Sequence, residues 1–241
     1  MSTPERADDG GNALVVAIDG PSGSGKSSVS REVARRLGLA YLDTGAMYRA
    51  LAWWCLDTGV DLRDRDATAA AGEALPLVIT TDPADVRVEV AGTDVSEAIR
   101  TTRVSEQVSL VATNLVVREQ MRLRQRELIA AHPRGTVAEG RDITTVVAPD
   151  AAVRVLLTAS EQARLARRAK ELHGHAGEAA IAATHDQVVR RDRDDSTVSR
   201  FVTAADGVTT VDSSSLDFEQ VVDTVLTLVE QRTGRRPMAT T

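Results

Sequence analysis

The apolar run Leu14-Val15-Val16-Ala17-Ile18 is followed by a glycine-rich turn and then by Ser28 to Leu37, where Val29, Val33 and Leu37 recur at helical spacing. The same alternation continues down the chain. Ala40 to Asp43 predicts a short second strand, and a helix should run from Ala46 to about Leu56 with Asp43 and Thr44 as candidate caps. Thr136 to Glu139 and Val153 to Leu157 read as buried strands, and Val208 to Asp212 as a last one. Helices are expected over Val104 to Thr113, Val116 to Ala131, from a Ser160 cap to about Leu172, from about Glu178 into Asp192, and from Leu216 to about Arg232 behind a Ser215 cap. Strands alternating with helices of this length predict an α/β fold with a five-stranded parallel sheet covered on both faces.

Two stretches depart from that rhythm. Between residues 57 and 103 Asp, Gly and Pro accumulate, and Val86-Arg87-Val88-Glu89-Val90 alternates before Ala91-Gly92, so a small insertion carrying an antiparallel hairpin is expected. A helical hairpin over about residues 166 to 203, broken at His173 to Gly177, is the second interruption. Residues 1–12 are polar and should form a disordered arm, residues 233–241 a patternless tail, and 13–232 a single domain.

Composition narrows the function classes. The chain is 42% hydrophobic and 27% charged, with a formal net charge of −6, which disfavours non-specific attraction to nucleic acid or to an anionic membrane. Its one cysteine, Cys55, lies among Trp53, Trp54 and Leu56 and reads as a packed thiol. No apolar run approaches the roughly 20 residues of a membrane span. A cytoplasmic protein is expected, and a monomer, because no helix shows a spare apolar stripe.

The turn after the first strand carries the chemistry. Gly20, Pro21, Ser22, Gly23, Ser24, Gly25, Lys26 and Ser27, with Ser28 next, fit the phosphate-binding loop G-x-x-x-x-G-K-[ST] in its required strand–loop–helix setting. Its glycines let successive N–H groups face one concavity, to which the helix N-terminus adds partial positive charge. Lys26 would reach the β- and γ-phosphates of ATP, and the Ser27 hydroxyl would ligate the Mg2+ carried with them. Asp19, just before the loop, is either structural or a water-mediated magnesium contact. His173 and His175 have no third ligand nearby and are weak as a metal site.

A phosphate loop alone fits kinases, GTPases, transporters and motors. No Asn-Lys-x-Asp element for guanine is present. Arginines do stand near separate strand ends and in the helical hairpin, at 49, 118, 141, 190, 191 and 193. Phosphoryl transfer is mostly positioning and charge neutralisation, so converging guanidinium groups suit an acceptor that is itself a phosphate. A mobile hairpin would exclude water as a competing acceptor. Arg118 could also simply pair with Glu119 or other helix neighbours. Other acceptors, UMP or shikimate, and a nucleotide switch without transfer are the alternatives.

Several segments together resemble the bacterial cytidylate kinases: Ile18 to Lys26, Leu42-Asp43-Thr44-Gly45-Ala46-Met47-Tyr48-Arg49, Asp94-Val95-Ser96 with Ile99-Arg100-Thr101, Val117-Arg118 with Arg124-Gln125-Arg126, Glu139-Gly140-Arg141-Asp142, and Arg191-Asp192-Arg193-Asp194-Asp195-Ser196. The resemblance spans roughly residues 13 to 230. It implies a P-loop kinase with a nucleoside-monophosphate-binding insertion (57–103) and a helical lid (about 166–203), moving the γ-phosphoryl of ATP to CMP or dCMP. Lys26, Arg141 and Arg191 would be catalytic. Arg49 and Arg141 would hold the acceptor phosphate with Thr44 nearby, Ser109, Arg118 and Asp142 would read cytosine, and Arg191 and Asp195 would meet the sugar hydroxyls. The family often has Ser at position 44 and Arg where Val198 stands here, with Arg200 a candidate replacement.

Overall fold

A computed structural model describes residues 13–175 and 177–238; the expected arm, residues 1–12, lies outside them, as does the end of the tail. β1 (Leu14–Asp19) leads through the glycine loop into α1 (Lys26–Leu37), which buries Val29, Val33 and Leu37 on one face and ends at Gly38 in left-handed geometry. β2 (Ala40–Asp43) passes directly into α2 (Thr44–Thr58). This helix begins two residues before the expected Ala46 because Asp43 caps it, accepting the Ala46 N–H at 2.8 Å; the Thr44 hydroxyl instead donates to the Glu139 carbonyl at 2.7 Å.

The following stretch holds more regular structure than expected. α3 (Arg65–Glu73), capped by Asp64, has little apolar periodicity to announce it. β3 (Leu77–Ile79), β4 (Val88–Val90) and β5 (Thr93–Asp94) form a three-stranded antiparallel sheet. The expected hairpin turn is Ala91 at φ 51° and Gly92 at φ 77°, both left-handed as a two-residue type I′ connection needs. A 3₁₀ turn at Ala98–Arg100 precedes α4 (Thr102–Ser105) and α5 (Val108–Ala112). These two short helices replace the single one expected over 104–113: the Gln107 N–H bonds Val104, three residues back, which breaks the helix, while Val104, Val108 and Val111 still all face the core.

α6 (Leu115–Ala130) is capped by Asn114, whose amide also donates to the Arg65 carbonyl and so ties α6 to α3. After β6 (Gly135–Gly140) a π-helical turn, Ile143–Val147, leads to β7 (Val153–Thr158). α7 (Glu161–His173), capped by Ser160 as expected, and α8 (Glu178–Asp195) form the helical hairpin; β8 (Thr209–Asp212) and α9 (Phe218–Thr233) close the chain. Asp217, not Ser215, caps α9. Its carboxylate accepts the Gln220 N–H while the Gln220 side chain accepts the Asp217 N–H, a reciprocal box that Ser215 has no partner to form.

The main sheet is parallel throughout, in the order β2-β6-β1-β7-β8. Each face packs its own core. Val16, Ile18, Val137, Val155 and Leu157 meet α1 and α9, whereas Ala17, Leu42 and Ala138 meet α2, α6 and the segment between them. Burial on both faces explains why these strands read as near-continuous apolar runs. The carboxyl ends of β1, β2 and β6 lie side by side, and the loops leaving them form the site.

Candidate active site

The loop after β1 is held in one shape by close packing. Gly23 and Gly25 adopt φ of 75° and 87°, and a Cβ on Gly23 would fall 2.4 Å from the Arg164 carbonyl oxygen. A Cβ on Gly20 would fall 2.3 Å from the Leu157 carbonyl oxygen. Only glycine allows these backbone approaches. The Lys26 ammonium donates to the Pro21 carbonyl at 3.4 Å and lies 4.0 Å from the Glu139 carboxylate. Glu139, on β6, also accepts the Ser27 hydroxyl at 2.5 Å and the Tyr41 hydroxyl at 3.3 Å. Burial pushes Lys26 below its ordinary pKa and Glu139 above its own, and the charge each presents to the other works against both shifts.

At the end of β2, Asp43 pairs with Arg49 at 2.8 Å and with Arg100 at 3.4 Å. Burial alone would raise its pKa; Arg49, Arg100, the Ala46 amide and Lys26 together hold it below the ordinary value. At the end of β6, Arg141 stacks on Phe201, 4.3 Å from the ring centre, donates to Asp192 of α8 at 2.8 Å and forms an ion pair with Asp195 at 2.8 Å. Asp142 pairs with Arg118 of α6 rather than leaving that arginine to Glu119, which Arg122 takes. Burial pushes Asp142 above its usual range despite Arg118. Arg191 lies 3.7 Å from Asp195, and burial together with the Arg141 charge lowers it to about 10.

Asp19 is structural in this arrangement. Its two oxygens accept the Ile143 and Thr144 N–H groups at 2.9 and 2.8 Å and the Thr144 hydroxyl at 2.6 Å. It therefore pins the turn that carries Arg141 and Asp142. The π-helical turn has its cause there, because Val146 and Val147 both bond the Asp142 carbonyl while Asp19 takes the amides that follow it.

These side chains surround a cleft of about 770 Å³. Lys26, Ser27, Ser28, Thr44, Arg49, Arg118, Arg141, Asp142, Arg191 and Asp195 all line it. Ser109 does not: Val108 and Ala112 on either side of it do. Arg200 is exposed and is not among the lining residues either. Residues that sequence reasoning had not assigned also converge here: Glu139, Tyr48, Arg100 and Arg168 on the lining, and Arg164 against the Ser22 carbonyl at 3.0 Å. Arg164 and Arg168 stand four apart on one helix face, a legible signal; Glu139 reads as an ordinary strand residue.

Four buried polar groups at the site lack a hydrogen-bond partner: the Ser24 hydroxyl, the Nε atoms of Arg49 and Arg191, and one oxygen of Asp195. A ligand with phosphate and sugar hydroxyls would satisfy them. The Ser27 hydroxyl and Glu139 carboxylate form a hard oxygen pair at the phosphate loop, which fits Mg2+ held together with a polyphosphate. Among the described residues no cluster of three His, Cys, Asp or Glu side chains is arranged for a metal.

A family model described as cytidylate kinase matches residues 16–231. A protein named cytidylate kinase from Cutibacterium acnes is 53% identical over 219 residues, covering 90% of this chain and 96% of its own length. One of the same name from Rhodococcus opacus is 49% identical over 226 residues, covering 92% and 97%. The crystal structure of an uncharacterized protein from Eubacterium ventriosum aligns with a TM-score of 0.51 at 11% identity, covering 91% of this chain and 99% of that one, a likeness of fold alone.

Proposed function

The chain belongs to the cytidylate kinase family, and from that premise we propose that it moves the γ-phosphoryl of ATP to CMP or dCMP, giving ADP and CDP or dCDP. An oxygen of the acceptor phosphate attacks the γ-phosphorus, and the bond to the bridging oxygen of the departing ADP breaks. The acceptor arrives as a phosphate anion, so no general base is required and the protein's work is positioning and charge neutralisation.

The observation that carries the cytosine assignment is the half-buried Arg118–Asp142 pair on the wall of a cleft that begins at a phosphate loop. A carboxylate there accepts from the cytosine amino group, and Arg118 donates to the carbonyl edge. Uracil would set a carbonyl oxygen against Asp142 and leave it unpaired, which makes discrimination large. Ser109 is assigned as a second acceptor for the amino group, reached by a turn of the short helix α5.

Arg49 and Arg141 hold the acceptor phosphate, with Thr44 beside them. Arg191 and Asp195 take the sugar hydroxyls, and Arg191 also meets the transferring group. Gly20 to Ser28 cradle the ATP phosphates, and Lys26 follows the γ-phosphoryl. Ser27, with Glu139 behind it, would hold Mg2+, which supplies charge neutralisation between the phosphates. Residues 57–103 act as the acceptor-binding insertion and the α7–α8 hairpin as the lid. A monomer acting in the cytoplasm, where ATP and CMP meet, completes the reading.

The test is ADP formation with ATP and magnesium, offering CMP, dCMP, UMP, dTMP, AMP and shikimate separately. Turnover of about 1 to 100 per second with CMP and little with UMP is expected. ATP hydrolysis that no acceptor stimulates would sink the assignment and leave a nucleotide-binding protein.

A further inference from the structure

Among the contacts that fasten the helical hairpin to the phosphate loop, which include Arg167 Nη1 donating to the Ser24 carbonyl at 3.3 Å, one carboxylate gathers the most partners. Asp192, on α8, accepts the Ser22 backbone N–H at 3.1 Å and Arg141 Nη1 at 2.8 Å through one oxygen. Its other oxygen accepts Arg164, whose guanidinium also donates to the Ser22 carbonyl at 3.0 Å. Three donors from three elements, the glycine loop, the β6 end and α7, thus meet on a single side chain of a fourth. Asp192 does not line the cleft, whereas Ser22 and Arg141 do. It stands behind them.

Its charge is secure: burial would raise the pKa, but Arg141, the Ser22 amide and Arg164 hold it below the ordinary value. The loop and the hairpin also meet through backbone, since a Cβ at Gly23 has no room against Arg164.

We propose that Asp192 is a positioning residue for phosphoryl transfer: it sets Arg141 at the acceptor side of the cleft and locks the α7–α8 hairpin to Ser22, so that hairpin, arginine and phosphate loop are held as one unit. This rests on reading the cleft as a phosphoryl-transfer site. Arg141 has Nε on Asp195 and Nη1 on Asp192 while its face lies on Phe201, so its orientation is set from three sides. A charge-assisted bond of this kind fixes direction as well as distance. Loss of Asp192 should therefore cost most where alignment matters most, when charge spreads over the moving phosphoryl, and less in the binding of either substrate.

The experiment compares the wild-type chain with Asp192→Asn, Asp192→Glu, Arg164→Gln and the double variant Asp192→Asn with Arg164→Gln. For Asp192→Asn, kcat should fall about 10²-fold with both KM values within about threefold, because a displacement of about 1 Å costs that much at a reacting centre. The share of ATP lost to water instead of CMP should rise, as a hairpin held to the loop by fewer contacts, Arg164 and Arg167 on the Ser22 and Ser24 carbonyls, excludes solvent less well. Asp192→Glu should restore part of kcat. The double variant should lose no more than the worse single one, since both act on one unit. Tighter binding of ATP by Asp192→Asn would overturn the proposal by showing that the carboxylate competes with a phosphate. An unchanged kcat, a loss confined to KM, or failure of both Asp192 variants to fold would overturn it in favour of a binding or purely structural role. Absence of CMP-stimulated turnover in the wild-type chain would instead refute the kinase reading itself.

Discussion

At the scale of single residues, the strand–loop–helix setting of the glycine loop could be read directly because the motif lies in local sequence: glycine spacing, one lysine and one hydroxyl suffice. Glu139 could not, because it sits in a buried strand and its role comes from Ser27 and Lys26, more than a hundred positions away in the chain. Glu139→Gln keeps the shape and removes the charge. It is expected to lower kcat by about 10- to 100-fold, the usual loss for a residue that supports a metal-binding group, and to raise the magnesium concentration needed for half-maximal rate. A magnesium titration of both forms measures this; an unchanged half-point would detach Glu139 from the metal. Asp142 and Arg118 were legible only in combination with the family pattern, since a helix arginine and a strand-end aspartate do not reveal in sequence that they touch. Asp142→Ala should reduce kcat/KM for CMP by at least about 10²-fold and that for UMP far less, erasing most of the preference. Equal losses on both substrates would show that Asp142 supports the site without reading the base.

At the scale of elements, the strands of the main sheet and the longer helices followed from periodicity, whereas α3, helix ends and irregular turns followed from side chains whose partners the sequence does not reveal. The cap of α9 is one case. Asp217→Ala should cost about 1 kcal/mol of stability and Ser215→Ala close to nothing, which urea unfolding of both variants resolves. The turn after β6 is another, because its shape depends on Asp19, 124 residues before Ile143. Burial raises the Asp19 pKa from 3.8 to about 6. Between those values the folded chain holds a proton that the unfolded chain has released, so the contribution of Asp19 to stability is greatest below pH 3.8 and is lost as pH rises to 6. The loss amounts to about 3 kcal/mol. Asp19→Asn cannot titrate, so the stability of wild type relative to this variant should decline between pH 4 and 7, as followed by denaturant unfolding. A difference that grows with pH would mean that the bonds from Ile143 and Thr144 outweigh burial and keep the carboxylate ionised.

At the scale of the whole molecule, net charge and site charge have opposite signs. The chain carries −6 overall. The described residues that line the cleft include nine arginine and lysine side chains against six aspartates and glutamates. The alternation of strands and helices made the fold legible and the strand-end arginines 49, 118, 141 and 191 made a local basic site expected, whereas the part of Arg100 was not legible, because it reaches Asp43 only when the 3₁₀ turn of the insertion meets the end of β2. A basic cleft with low-dielectric walls concentrates the field and draws in polyanionic substrates against the weak repulsion of the outer surface. That steering acts over distances comparable with the Debye length, about 10 Å at 0.1 M salt, so added salt should weaken capture more than chemistry. Raising ionic strength from about 0.05 to about 0.5 M should therefore raise KM for both ATP and CMP several-fold and leave kcat within about twofold. Steady-state rates in potassium acetate at fixed free magnesium measure it. Should kcat fall while KM holds, salt would be reaching the partly buried ion pairs of Arg141, Asp192 and Asp195 that join the hairpin to the core, and the loose joint of the molecule would be the hairpin itself rather than the approach to the cleft.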